Sequence, residues 1–308
     1  WAGIMADVEH ISCEQLWEQQ HKEVVSLNIE TDTIETALKT LEAEKLLSAP
    51  VYGKDGKCIG LLDVLDIVRY LNHMTKTALP HGGCLIAMAE ALDKFVRRGG
   101  SFLDSPLKKV IDISKRNPYL PVAPGTPMAK VLETLASGVH RVPVVEDGKV
   151  KAVISQSTVA AYVAQNAAAL GAHADATLES LGAVCHEVIS VPGETRTMEA
   201  FMLMLEHNLS ALPVLTPEGH LHGTLSASDV KAVVSCKFED LLKPVNVFIE
   251  PRRIDSILCR PDETLFAVCE RMSKFHLHRL YIVDDETRPV GAVSLTDVCR
   301  GAVKVLHQ

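Results

Sequence analysis

One pattern occurs four times along this chain, and each occurrence is too small to fold alone. In the last copy, residues 281–283 form a short apolar, β-branched run, 284–289 a polar turn and 290–293 a second apolar run. That alternation predicts two short paired strands. Ser294, Leu295, Thr296 and Asp297 then stop the strand and open a helix, because hydroxyl and carboxylate oxygens accept from free first-turn amides. The earlier copies run over 47–66 with a turn at 53–56, 139–158 with a turn at 146–149, and 209–229 with a turn at 216–219. Ahead of each hairpin lie an extended stretch, a threonine (Thr33, Thr126, Thr195, Thr264) and an amphipathic helix beginning near Ile34, Pro127, Arg196 or Leu265. Pro127 suits a first helical position after an N-cap. Leu265, Val268, Cys269 and Met272 have the spacing of one buried helix face. Each unit therefore reads strand, helix, strand, strand, helix, an α+β design. Two strands and two helices bury too little to stand alone, so the four units are expected as two tandem pairs.

A length of 308 residues allows about two domains on a prior of ~150 residues each. Aromatic residues are only 5% against 47% hydrophobic, so the cores should be aliphatic. A net charge of −8 argues against sequence-independent nucleic-acid binding, which needs a net basic face. It leaves room for a local basic pocket that takes a small anion. The eight cysteines contain no C-x-x-C pair and read as reduced thiols, which points to the cytoplasm or the nucleus. No apolar run reaches the ~18 residues of a membrane span. Phosphate-loop, dinucleotide, zinc-protease and nucleophile-elbow motifs are all missing, so no catalytic residue is assigned. The pairs His220/His222 and His276/His278 have no third ligand nearby in sequence, and no metal is expected.

The organisation follows from the repeats. Residues 1–23 are a lead-in, and residues 1–4, ahead of Met5, are either an added lead or part of a longer chain. The first pair spans 24–170, with units at about 24–77 and 113–166; 171–182 is a linker; the second pair fills 183–308, with units at about 185–236 and 254–306. Between the first two units, 85–98 has helical periodicity and ends on Lys94, Arg97 and Arg98, cations that favour a helix C-terminus. It is either a packing helix with a solvated basic end or an interaction surface.

The fourfold pattern resembles the cystathionine-β-synthase (CBS) domain, and its pairing resembles two Bateman modules. The order of strand starts is similar to that of the γ regulatory subunits of AMP-activated protein kinase: Ala49-Pro50 in the first unit, His140-Arg141-Val142-Pro143 in the second, Ser210-Ala211-Leu212-Pro213 in the third and His278-Arg279-Leu280 in the fourth. In that family an aspartate at the mouth of each last helix holds a ribose through both hydroxyls, and the second repeat typically lacks it. Here those places hold Asp66, Thr158, Asp229 and Asp297. A carboxylate can accept two charge-assisted bonds from a cis-diol, whereas a threonine makes one such bond at best. Leu47 and Ser157-Thr158 stand where the family carries cations, which puts di- and triphosphate binding by the first pair in question.

The resemblance implies a regulatory protein, not an enzyme, that senses AMP, ADP or ATP in the clefts between repeats. Its partners would be a kinase catalytic subunit and a scaffold subunit, with a homodimer as the other possibility. The residues implied are Thr195, Ser210, Ala211, Ser226, Ser228, Asp229, Thr264, His278, Arg279, Ser294, Thr296 and Asp297, together with Asp66, Thr126, His140 and Arg141. Each has a plainer reading. An aspartate or threonine opening a helix is often only its cap, and a histidine starting a buried strand is often structural. Three rivals follow: a nucleotide-binding module that regulates another enzyme or transporter, an interaction protein with empty pockets, and an enzyme whose site carries none of the scanned motifs.

Overall fold

All four expected hairpins form, and all four carry the same irregularity. The structure, a computed structural model, describes residues 12–14, 24–78, 100–115, 117–165, 176–184, 187–234, 238–249 and 254–306. The first repeat runs β1 (Leu27–Asn28), α1 (Ile34–Ala43), β2 (Ser48–Tyr52), β3 (Cys58–Asp63) and α2 (Val64–Ala78). The second has α3 (Met128–Ala136), β4 (Arg141–Glu146), β5 (Lys149–Ser155) and α4 (Gln156–Gln165). The third has β6 (Val191–Pro192), α5 (Thr197–Glu206), β7 (Ala211–Leu215), β8 (Leu221–Ser226) and, where an α-helix is expected, the 3-10 helix Ala227–Val234. The fourth has β9 (Leu258–Cys259), α6 (Leu265–Lys274), β10 (Arg279–Val283), β11 (Pro289–Ser294) and α7 (Leu295–Leu306). Each antiparallel hairpin slips register once, at Val51/Tyr52, Val144/Val145, Val214/Leu215 and Ile282/Val283, a break of the kind that bends and twists a ribbon. The leading strand of the second repeat shrinks to Val122, whose amide donates to Pro143 O at 2.9 Å and whose carbonyl accepts from Val145 N at 2.8 Å. The basic stretch 85–98 and residues 1–4 lie outside the described residues.

The helix boundaries correct part of the sequence reading. Thr33 and Thr264 are N-caps, accepting from Thr36 N and Ala267 N. Thr126 and Thr195 cap nothing, because Pro127 and Arg196 hold the N-cap positions and the helices start one residue later. All four first helices end on a left-handed residue, Lys45, Gly138, Asn208 or His276. In three of them the next amide reaches back to Leu41 O, Met204 O or Met272 O, the six-to-one bond that satisfies a free carbonyl and turns the chain into the following strand.

Helix faces pair the repeats differently from strand edges. One apolar core joins repeats one and three, with Ile34, Leu38, Leu62 and Leu71 packed with Phe201, Met204, Leu212 and Val230. The other joins repeats two and four through Val131, Leu135, Val144 and Val163 with Leu265, Cys269, Tyr281 and Val298. The tandem neighbours meet through polar contacts. Val150 N donates to Tyr52 Oη at 2.9 Å, and Cys58 N to Gly148 O at 3.1 Å. In the second pair the Thr224 and Tyr281 hydroxyls lie 2.9 Å apart, and Leu221 N donates to Thr287 O.

Each tandem pair is also tied by exchanged segments. Ile34 N donates to Ser105 O and Leu107 N to Asp32 O, so the segment before repeat two docks at the start of α1. Cys13 N donates to Thr126 O, so the lead-in before repeat one docks on repeat two. In the second pair Val245 N donates to Thr195 O, and Leu178 N to Glu263 O. Leu107, Cys13, Val245 and Leu178 are each fully buried at these joints. Over its described residues 176–182, the stretch expected as a linker docks on repeat four. Cys13, Cys58, Cys259, Cys269 and Cys299 are free thiols, and burial pushes the thiols of Cys259 and Cys269 up to about 12.

Candidate functional site

The register of the hairpins brings four equivalent strand ends to one place. Ser48 pairs with Asp63, Arg141 with Ser155, Ala211 with Ser226 and Arg279 with Ser294. The residue before each first partner, Leu47, His140, Ser210 or His278, accepts through its carbonyl from the first amide of the second helix, Val64, Gln156, Ala227 or Leu295. All eight of these residues line one narrow central cavity of about 70 Å3, along with Asp63, Arg141, Ser155, Ser226, Arg279 and Ser294. Four helix starts thus converge at the centre, and helix N-termini present partial positive charge.

A larger groove of about 740 Å3 continues from this centre and draws on all four repeats. Its cations are Lys45, Arg141, Lys231 and Arg279, and its hydroxyls include Ser210, Ser226 and Ser228. Arg279 is incompletely paired: its Nη1 lies 3.5 Å from Ala211 O, and its Nε is buried with no hydrogen-bond partner. Arg141 differs. Its guanidinium is ion-paired to Asp63 in a largely buried contact. Asp63 also accepts from Leu65 N at 2.8 Å and from Asn117 Nδ2 at 3.0 Å, while Asn117 Oδ1 accepts from His140 N. Arg141 lines the cavity and the groove as expected of a phosphate-side residue, but with its charge opposed by an acid of the chain. Asp63 escaped the sequence reading because its equivalence to Ser155, Ser226 and Ser294 appears only once the strand register is known.

The helix-mouth residues act first as caps. Asp63 N donates to Asp66 Oδ2 at 2.9 Å, Ser155 N to Thr158 Oγ1 at 3.2 Å, Ser226 N to Asp229 Oδ2 at 2.6 Å and Ser294 N to Asp297 Oδ2 at 2.9 Å. Asp66 goes further: it is 2% exposed, and its other oxygen accepts from Ser114 N at 2.8 Å. Burial, helped by the charge of Asp63, pushes this carboxyl up to about 6 against its hydrogen bonds. Asp66 is therefore sealed by the chain and does not offer two free oxygens to a ribose. Asp297 faces a separate pocket of about 240 Å3 shared with Gly182, Arg300 and Lys304, and its Oδ1 lies 3.3 Å from Arg300 Nη1.

Of the expected residues, the groove and central cavity gather Ser210, Ala211, Ser226, Ser228, His278, Arg279, His140, Arg141, Ser294 and Thr296. Thr296 is engaged by Gln156 Nε2 at 2.9 Å. Thr126, Thr195, Thr264, Asp66 and Asp229 do not line either space. The Thr126 and Thr195 carbonyls accept from Cys13 N and Val245 N at the exchanged joints, so their backbones are structural. Lys231 and Gln156 were missed, since a single polar residue on a helix carries no repeat signature. Among the described residues, no group of three His, Cys, Asp or Glu side chains is placed to hold a metal ion. No helix among them is long and apolar enough to cross a membrane.

Comparison with known proteins follows the same fourfold division. Protein sds23 of Neosartorya fischeri is 26% identical over 244 residues, 73% of this chain and 45% of its own. Protein SDS23 of Scheffersomyces stipitis is also 26% identical, over 74% of this chain and 44% of its own. The chain thus spans under half the length of these two fungal relatives. The SNF1-related protein kinase regulatory subunit gamma-like PV42b of Arabidopsis thaliana is 24% identical over 86% of this chain and 87% of its own. Protein MJ1225 of Methanocaldococcus jannaschii has the same fold, with a TM-score of 0.72 over 91% of this chain and 96% of its own at 19% identity. The profile of the CBS domain matches residues 20–73, 110–165, 181–235 and 251–304, one stretch for each strand-helix-hairpin-helix unit, and the chain belongs to the CBS-domain family.

Proposed function

We propose that the chain binds adenine nucleotides between its repeats and regulates a partner according to whether AMP, ADP or ATP is held. The observation that carries this is the groove shared by four repeats, in which the Nε of Arg279 is buried without an acceptor. At about 740 Å3 the groove is of the size that takes a small organic ligand. A guanidinium N–H cut off from both water and an acceptor is costly, and a phosphate oxygen supplies the charge and acceptor that it lacks. The hydroxyls of Ser210, Ser226 and Ser228 suit the sugar or phosphate of the same molecule. In this reading the capping bonds of Asp229 and Asp297 yield to a ribose where one reaches them, while Thr195 supports the fold through its carbonyl and Thr264 through its side-chain cap of α6.

A change in phosphate number alters charge where four repeats meet. A partner surface would read that as a shift in the population of packing states. The name of the Arabidopsis relative, a kinase regulatory subunit gamma-like protein that aligns over most of both chains, supports a γ-type role beside a kinase. The reading makes the chain regulatory rather than catalytic. The Asp63–Arg141 pair favours a second reading, an interaction protein or homodimer whose pockets stay empty, because it removes one cation from the centre. Calorimetric titration of the full chain with AMP and ATP separates the two. Binding that weakens by about 10-fold or more in Arg279→Gln is expected. No heat with any adenine nucleotide would refute the main reading.

A further inference from the structure

Lys231 lines the groove from repeat three, one turn of the 3-10 helix beyond Ser228. Its Nζ crosses to repeat one and donates to Leu46 O at 3.3 Å. An ammonium carries three N–H donors, and that bond uses one. Burial strips water from the group and lowers its pKa, against the opposing pull of Glu42 and Asp229. From repeat four, Arg279 lines the same groove with its buried Nε unpaired. Glu44, an exposed residue, is the acid in the groove lining. Glu42 and Asp229, which do not line it, act on Lys231 through their charge, and among the described residues neither cation has the close ion pair that Asp63 makes with Arg141.

We infer that Lys231 and Arg279 form the phosphate-binding end of the groove, and that Lys231 links a bound phosphate to repeat one through Leu46. This rests on the nucleotide reading above. The two groups are complementary in kind: a guanidinium fixes the direction of approach with paired N–H bonds, and an ammonium adds a compact charge on a flexible stem. A phosphate oxygen is a stronger acceptor than the neutral carbonyl of Leu46. As the ammonium turns toward it, the polar tie between the end of α1 and the 3-10 helix weakens. Phosphate would then be registered at the contact between repeats one and three, away from the base and sugar.

The test is titration of the full chain with adenosine, AMP, ADP and pyrophosphate, on the wild type, Lys231→Gln and Lys231→Arg. Lys231→Gln should weaken AMP, ADP and pyrophosphate by about 10-fold or more and leave adenosine unchanged, and Lys231→Arg should restore most of the loss. Thermal unfolding without ligand checks that both variants fold. Nucleotides that bind the wild type and Lys231→Gln equally would overturn the role of Lys231 while sparing the nucleotide reading. Pyrophosphate binding that depends on Lys231, with no binding of any adenine compound, would do the reverse. Equal weakening of adenosine and AMP would make Lys231 a structural tie, and no binding of any probe would end both proposals.

Discussion

Asparagine at position 66 should remove a specific part of the pH dependence of stability. In the folded chain the Asp66 carboxyl titrates near about 6 instead of 3.8, chiefly because it is buried. Each pKa unit corresponds to about 1.4 kcal/mol, so the shift of about two units amounts to roughly 3 kcal/mol. The sign follows from the direction. Because the folded state holds the proton more tightly, this contribution is fully present below about pH 4 and is lost as pH rises through about 6. Asp66→Asn cannot titrate, and it leaves one of the two amides, Asp63 N or Ser114 N, facing an NH2 group. That adds a cost of about 1–3 kcal/mol at every pH. Urea denaturation at several pH values between about 4.5 and 7.5 gives the comparison. The stability of wild type minus variant should fall by about 2 kcal/mol across this range, the rest of the loss lying below it. A difference that stays flat would refute the claim that Asp66 is sealed by Ser114 and forced to carry its charge without water.

Two further outcomes follow from the centre and from a helix end. Asp63→Ser gives repeat one the residue found in the other three and removes the partner of buried Arg141. It should cost about 3 kcal/mol, seen as a lower Tm, while the released guanidinium tightens AMP binding; unchanged values of both would contradict the pairing. Gly138→Ala puts a side chain at a φ of 106°, where a Cβ meets nothing within 4 Å. The loss should be about 1 kcal/mol in urea titrations, from backbone strain alone.

The hairpins were legible because apolar runs, polar turns and helix-opening residues recur in fixed order. The aspartates at 66, 229 and 297 were legible as helix openers for the same reason, and all three do accept from their own strand-end amide. Thr126 and Thr195 misled by one residue, because Pro127 and Arg196 can also sit in extended N-cap geometry. The exchanged joints were not visible: a buried Leu107 or Val245 within a single helical turn leaves no periodicity to count. Nor was the pairing of helix faces, since apolar stripes of similar composition do not name their partners. At the site, Ser210, His278 and Arg279 could be read from strand starts. Asp63 needed strand register, and Lys231 needed the fold that carries one repeat's lysine to another repeat's carbonyl.

Because each apolar core takes one half from residues before 166 and the other from residues after 175, neither half of the chain can finish folding alone. The first two repeats, on leaving the ribosome, can match their strand edges but must hold two greasy helix faces open until the last two arrive. Such long-separation contacts form slowly, and open faces invite aggregation. Severing the chain between repeats two and three should therefore give two fragments that are insoluble apart and complementary when expressed together.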